Sequence, residues 1–259
     1  MLRNYIIALF ISACYLVNAQ DYTRPMTQTP VPAPNTDKKF SLSVSVGPAV
    51  PLADFASTNV HGSFWDFNSS DSTRLQGFAK TGFHFNITAS YLLNDNFGLM
   101  VTFGSSSNPF DVNTFSSIVG FPTTTPTGGY SFNEYLIGPF LKFNLVPKLN
   151  VQISAMAGIV DLTYPELTFT LNDTLSETID FQGGLNFGYS FGAGLVYDVS
   201  NTISILLNVS YTSATVTYGS WTQTYSIPGY YPVSFSHPTD KTFMVTGLLK
   251  QTIGIVLKL

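Results

Sequence analysis

The chain has 259 residues, enough for one large domain or two small ones. Charged residues make up 10% of it, against roughly 25% in an ordinary soluble domain, and aromatics make up 15%. A net charge of −4 without a basic stripe argues against nucleic acid as a partner, and no apolar run of about 18 residues exists to form a spanning helix.

The first segment carries Arg3, then an apolar stretch from Tyr5 to Val17, then Val17-Asn18-Ala19 ahead of Gln20. That is the layout of a secretory signal peptide over 1–19, with cleavage before Gln20. Ile11-Ser12-Ala13-Cys14 also resembles a lipobox, which would lipidate Cys14, but the apolar Tyr15-Leu16-Val17 that follows favours ordinary cleavage. Cys14 is the single cysteine, so its removal leaves no thiol for a disulfide, a nucleophile or a metal. Residues 20–38 are rich in Pro and Thr and lack periodicity, which predicts a flexible leader.

From residue 39 onward, large apolar residues alternate with small polar ones. Phe40, Leu42, Val44 and Val46 oppose Ser41, Ser43, Ser45 and Gly47. Phe83, Phe85, Ile87, Ala89 and Tyr91 oppose Gly82, His84, Asn86, Thr88 and Ser90. The same period of two recurs over 97–104, 134–145, 149–159, twice within 181–214, and over 241–259. It predicts eight half-buried strands. Short connections at 94–96, 146–148 and 198–201 alternate with long ones at 52–78, 105–130, 162–180 and 217–240. The small face of each strand is built of Gly, Ser, Thr and Asn, with few charges on either face. A soluble barrel or sandwich would show charges outward. The pattern predicts an all-β fold: an eight-stranded antiparallel transmembrane barrel over 39–259, with short periplasmic turns and long extracellular loops. The apolar face would meet lipid and the small face a narrow lumen. Tyr91, Phe97, Phe143 and Tyr197 flank the short turns and suit an interfacial girdle. Phe187 is expected near mid-bilayer. Gln251 on the lipid face and Pro139 within a strand do not fit strict alternation, and each is expected to sit at a bulge.

"VGPAVPLADFAS", "GFAKTGFHFNITASYLLNDNFGL" and "YLIGPFLKFNL" resemble segments of the small outer-membrane β-barrel proteins of Gram-negative bacteria, the OmpA/OmpX-like kind. The first looks like that family's opening strand running into a Pro-x-x-Asp-Phe loop entry. The resemblance covers about 39–259 and implies an outer-membrane location, insertion by the barrel-assembly machinery and outer-membrane lipid as surroundings. Its motifs are structural, not catalytic. Such barrels usually end in an aromatic residue, whereas this sequence ends in Leu259.

Alternation turns Lys80, His84, Glu134, Lys142, Lys250 and Lys258 toward the lumen. Glu134 and Lys250 fall on strands four apart in a ring of eight, so they can meet across it. An internal ion-pair plug fits better than a gated pore, because Met100, Leu136, Phe140, Met156, Leu206, Met244 and Leu248 also point inward. His61-Gly62-Ser63 resembles a His-x-Ser pair of lipid A deacylases, but it lies in a loop. Three scattered histidines have no metal-ligand spacing. No cofactor is expected. Aromatics in the long connections, among them Trp65, Phe67, Trp221, Tyr230 and Tyr231, read equally as contact surfaces or as residues packed among themselves. The expected role is non-enzymatic: a monomeric structural or surface-binding barrel whose loops take an extracellular ligand. A lipid-modifying enzyme and a small passive channel are the alternatives.

Overall fold

The structure is a computed structural model that describes residues 39–65, 74–120, 123–171 and 175–259. The segments read as signal peptide and leader, with Cys14, and the loop aromatic Phe67 lie outside these residues. The strands are β1 (Phe40–Ala53), β2 (Gly82–Leu92), β3 (Phe97–Asn108), β4 (Thr124–Thr127), β5 (Tyr130–Val146), β6 (Leu149–Thr163), β7 (Glu166–Leu171), β8 (Leu175–Gln182), β9 (Leu185–Asp198), β10 (Ile203–Ser226) and β11 (Val233–Lys258). One helix, α1 (Val112–Val119), stands among the described residues.

Eight strands form the wall in the order β1-β2-β3-β5-β6-β9-β10-β11, and β11 returns to pair with β1. Every pairing is antiparallel. The ring leaves the wall without an open edge, as a strand-built structure in hydrocarbon requires. Alternation sets the two faces. Val101, Ile137, Phe191, Leu207 and Ile255 point outward and are exposed, while Ser45, Thr102, Ser190, Thr212 and Thr246 point inward and are buried. Both ends of the wall lie at the short-turn side, where the Leu259 amide donates to the Phe40 carbonyl at 2.8 Å. Tyr91, Phe143 and Tyr197 are exposed on the outer face there.

The two irregular positions are resolved without bulges. Val46 pairs with Ile253 and Ala49 with Lys250, so the β1–β11 register is unchanged across Gly47-Pro48. Gln251 therefore keeps its place on the outer face, opposite Val209. Pro139 pairs with Leu99 on the β3 side, and the β5–β6 ladder skips Gly138-Pro139 between Ile137↔Ala157 and Phe140↔Ser154. The missing proline N–H opens the ladder locally but does not shift it. Phe187 faces outward on the wall. It is the third residue of β9, toward the long-loop end, and Phe191 lies nearer the middle of that strand.

The long connections are not bare loops. α1 interrupts the one between β3 and β5, with Asp111 as its N-cap and Gly120 closing it at φ 83°. β10 and β11 run past the wall, and β8, β7 and β4 add to β10 in turn. The result outside the wall is a five-stranded sheet in the order β11-β10-β8-β7-β4.

Candidate functional site

The inward residues build two layers inside the barrel. The first is a polar network at the middle. Glu134 on β5 and Lys250 on β11 form an ion pair and are 1% and 2% exposed. Lys250 Nζ also donates to Thr212 Oγ1 at 2.7 Å, and Thr212 donates to Ser190 Oγ at 3.0 Å. On the other flank His84 Nδ1 shares a hydrogen bond of 2.7 Å with Ser106 Oγ. Residues from β2, β3, β5, β9, β10 and β11 thus converge on one level of the lumen. Gly104 makes room for them: a Cβ there would stand 2.6 Å from Glu134 Oε1 and 2.9 Å from His84 Cε1.

Below this layer a polar cavity of about 110 Å³ lies toward the short-turn end, lined by Ser43, Thr88, Gln152, Ser154 and Asn208, with Lys142 near its mouth. Glu134 and Lys250 line it as well. Lys258 does not point free into the lumen; it pairs with Asp198 at 2.6 Å at that mouth. Lys80 departs from expectation. It sits just before β2 at the long-loop end, half exposed, and faces Asp111 at 3.5 Å. The alternation that placed it inward stops at Gly82, where β2 begins.

The second layer is an apolar plug at the long-loop end. Ala53 turns the chain at φ 56°. Asp54 then accepts the Val245 amide at 3.1 Å and Arg74 Nε at 2.8 Å, which pins the first connection to the wall. Phe55 follows it inward and meets Tyr130 edge-on at 4.8 Å. Gly77 is needed at this crossing, because a Cβ there would overlap the Phe55 backbone. The Tyr130 hydroxyl donates to the Gly77 carbonyl and that of Tyr164 to Gln76 at 3.1 Å. Trp65, Phe78, Phe115, Phe169, Phe181 and Tyr218 complete one continuous buried cluster with these rings. The Pro-x-x-Asp-Phe segment is therefore the device that folds the first connection back into the barrel mouth.

The loop aromatics separate accordingly. Trp65 is 2% exposed and meets Phe115 at 4.9 Å, so it belongs to the plug and offers no contact surface. Trp221 is half-buried and stacks on His237, with ring centroids 4.0 Å apart. Tyr230 and Tyr231 stand at the β10–β11 tip, 77% and 96% exposed. The choice between packing and contact thus falls differently for different rings, because the plug covers only those that the first connection, α1 and the sheet enclose.

Ser106, His84 and Glu134 have the residue types of a hydrolase triad, a grouping the sequence did not reveal because it spans three strands. The geometry is not that of a triad. His84 Nε2 stands 3.9 Å from Glu134 Oε1, the oxygen that Lys250 holds. Ser106 and His84 are 2% and 0% exposed, and neither lines the cavity. His61 and Ser63 form a turn in which Ser63 Oγ donates to the Val60 carbonyl at 2.7 Å. Among the described residues no group of three His, Cys, Asp or Glu could hold a metal ion.

No family model and no curated protein matches the sequence. Solved structures do. A major outer membrane protein from Thermus thermophilus is 12% identical, with a TM-score of 0.50, over 85% of this chain and 99% of that one. Ail, the attachment invasion locus protein of Yersinia pestis, is 13% identical, with a TM-score of 0.43, over 86% and 99%. The outer membrane protease OmpT from Escherichia coli is 11% identical, with a TM-score of 0.47, over 90% and 100%. The fold is that of a bacterial outer-membrane β-barrel, and the apolar outer wall is built to stand in such a membrane.

Proposed function

We propose that the protein is a sealed, non-enzymatic barrel that presents its extracellular sheet as a binding surface. One observation carries this reading. The lumen is crossed by the Glu134–Lys250 network and closed above it by the aromatic plug, while β10 and β11 continue into a sheet with an exposed aromatic tip. Eight strands enclose little more than their own side chains, so a role in conduction has no path. Burial of Ser106 and His84 keeps that pair away from a substrate outside the wall. Among the described residues the tip of the sheet is accessible, with Ile227, Tyr230, Tyr231, Val233 and Phe235 exposed together. Clustered exposed apolar residues of this kind mark contact sites.

The test compares cells displaying the full chain with cells displaying a variant in which residues 220–238 are replaced by an Asn-Gly turn. Adherence to immobilised glycans and proteins should fall in the variant while barrel assembly, read by heat-modified gel mobility, is kept. Adherence that survives the replacement unchanged rejects the sheet as the binding surface.

A further inference from the structure

The extracellular sheet continues the wall upward. β4 leads into β5, β7 follows β6 and β8 runs into β9, while β10 and β11 pass from wall to sheet unbroken. The plug fixes which way its faces point. Leu167, Phe169, Ile179 and Phe181 are buried in the aromatic cluster, and Trp221 packs against it. The alternate residues therefore face outward, on the side that meets lipid lower down. On that outer face Ser234, Thr224, Thr178, Thr168 and Thr125 stand opposite one another in a single row across all five strands. None of the five is buried. The row beside it carries Ser226, Ser176 and Thr170.

An ordinary exposed face is about one-quarter to one-third charged. Here no Lys or Arg occurs over 124–127, 166–171, 175–182 and 220–238, and the only charges on the outer face over those ranges are Glu166 and Asp180. The face therefore suits neither phosphate nor sulfate, which call for Arg or Lys. It also lacks the rings that anchor a protein partner. Each hydroxyl carries one donor and two acceptor positions. Thr168 and Thr178 share a contact of 3.1 Å, and Thr224 and Ser234 one of 2.9 Å. Either pair spends one proton on itself and still offers a donor and acceptors outward. Sugar hydroxyls have the same double character. Neighbouring strands repeat at about 4.8 Å, close to the length of one sugar ring.

The level of this row on the molecule identifies the source of the sugar. Lower on the same side Leu185 and Phe187 are 72% and 71% exposed, as lipid contact requires. Thr178 stands seven residues above Leu185, roughly 20 Å along extended chain. We propose that this outer face binds the sugar portion of the outer-leaflet glycolipid of the protein's own membrane. The acyl chains lie against the wall, and the sugars above them meet the hydroxyl row. The contact is separate from the aromatic tip and goes beyond the ligand proposed for it.

The experiment places the full chain in phosphatidylethanolamine vesicles that contain either lipopolysaccharide with a complete core or lipid A alone. The denaturant midpoint should be higher with the complete core, because that lipid binds the folded face and not the unfolded chain. Thr168→Val, Thr178→Val and Thr224→Val together should abolish the difference, and Thr178→Val alone should reduce it. Valine keeps the branched shape that strands favour and removes the hydroxyl. Tyr230→Ala with Tyr231→Ala should leave the difference intact. Free core oligosaccharide added to the lipid A vesicles should not reproduce it. Equal wild-type midpoints in the two lipids overturn the proposal without any variant. A difference that survives in the valine variants, or that free oligosaccharide reproduces, overturns it as well. Loss of the difference in the tyrosine variant would move the contact to the tip and reject the outer face. Loss of adherence to foreign ligands on replacing 220–238 tests the tip and is read separately.

Discussion

Glu134 and Lys250 are tolerable inside the barrel because each neutralises the other and Thr212 Oγ1 accepts a further hydrogen bond from the lysine ammonium. Removing one partner leaves a buried charge, which costs about 3–5 kcal/mol. Lys250→Met alone should therefore destabilise more than Lys250→Met with Glu134→Gln, measured by denaturant unfolding in lipid vesicles. Additive costs would show the two residues to be independent. Gly104→Ala should also destabilise, by about 1–3 kcal/mol, since its methyl would press on Glu134 and His84. Outside the membrane, Asp111 caps α1. Burial pushes its carboxyl up, but the Thr114 hydroxyl and amide and the Lys80 ammonium outweigh that and hold it below its ordinary value. A carboxyl lowered in the folded state contributes stability that is present above its unfolded pKa of about 4 and is lost as pH falls through the folded value. Asp111→Ala should cost about 1 kcal/mol of local stability at neutral pH. The difference from wild type, read as hydrogen exchange of the α1 amides, should shrink in acid.

At the scale of elements, β9 tests the placement of the wall. Phe191 and Phe187 both face outward, 56% and 71% exposed, but only Phe191 lies near the strand centre. Phe191→Arg should cost about 2–4 kcal/mol, and Phe187→Arg about 0–1 kcal/mol, because the penalty falls toward the interface. Equal costs in vesicle unfolding would move the membrane boundary along the strand. The wall strands were legible because lipid outside and a narrow lumen inside impose one residue type on each face. α1 was not, because eight residues with Val112, Phe115 and Val119 on one side give too short a run to stand out. β7 and β8 pair with each other locally, but β4 joins β7 and β8 joins β10 only across segments distant in sequence, so no local pattern announces the sheet they form.

For the whole molecule, the two internal layers predict a closed barrel. Purified protein in planar bilayers should show no steady conductance, and a large stable current would contradict the plug. Phe55→Ala should destabilise by about 3–5 kcal/mol, the range for a buried aromatic truncation, and should expose the first connection to protease. The sequence by itself determined the architecture, the lumen side of Glu134 and Lys250 and the membrane setting. Each of these follows from a period of two, read on one strand at a time, together with the count of strands. Tertiary structure decided which aromatics are buried. Trp65 and Tyr231 both lie in connections, and their fates differ because the chain pinned by Asp54 folds the first inward while the β10–β11 hairpin carries the second outward. It also decided that Ser106, His84 and Glu134 meet without forming a working triad. Strand stagger around a closed ring sets such distances, and stagger is a property of all eight strands at once, beyond the reach of any one stretch of sequence.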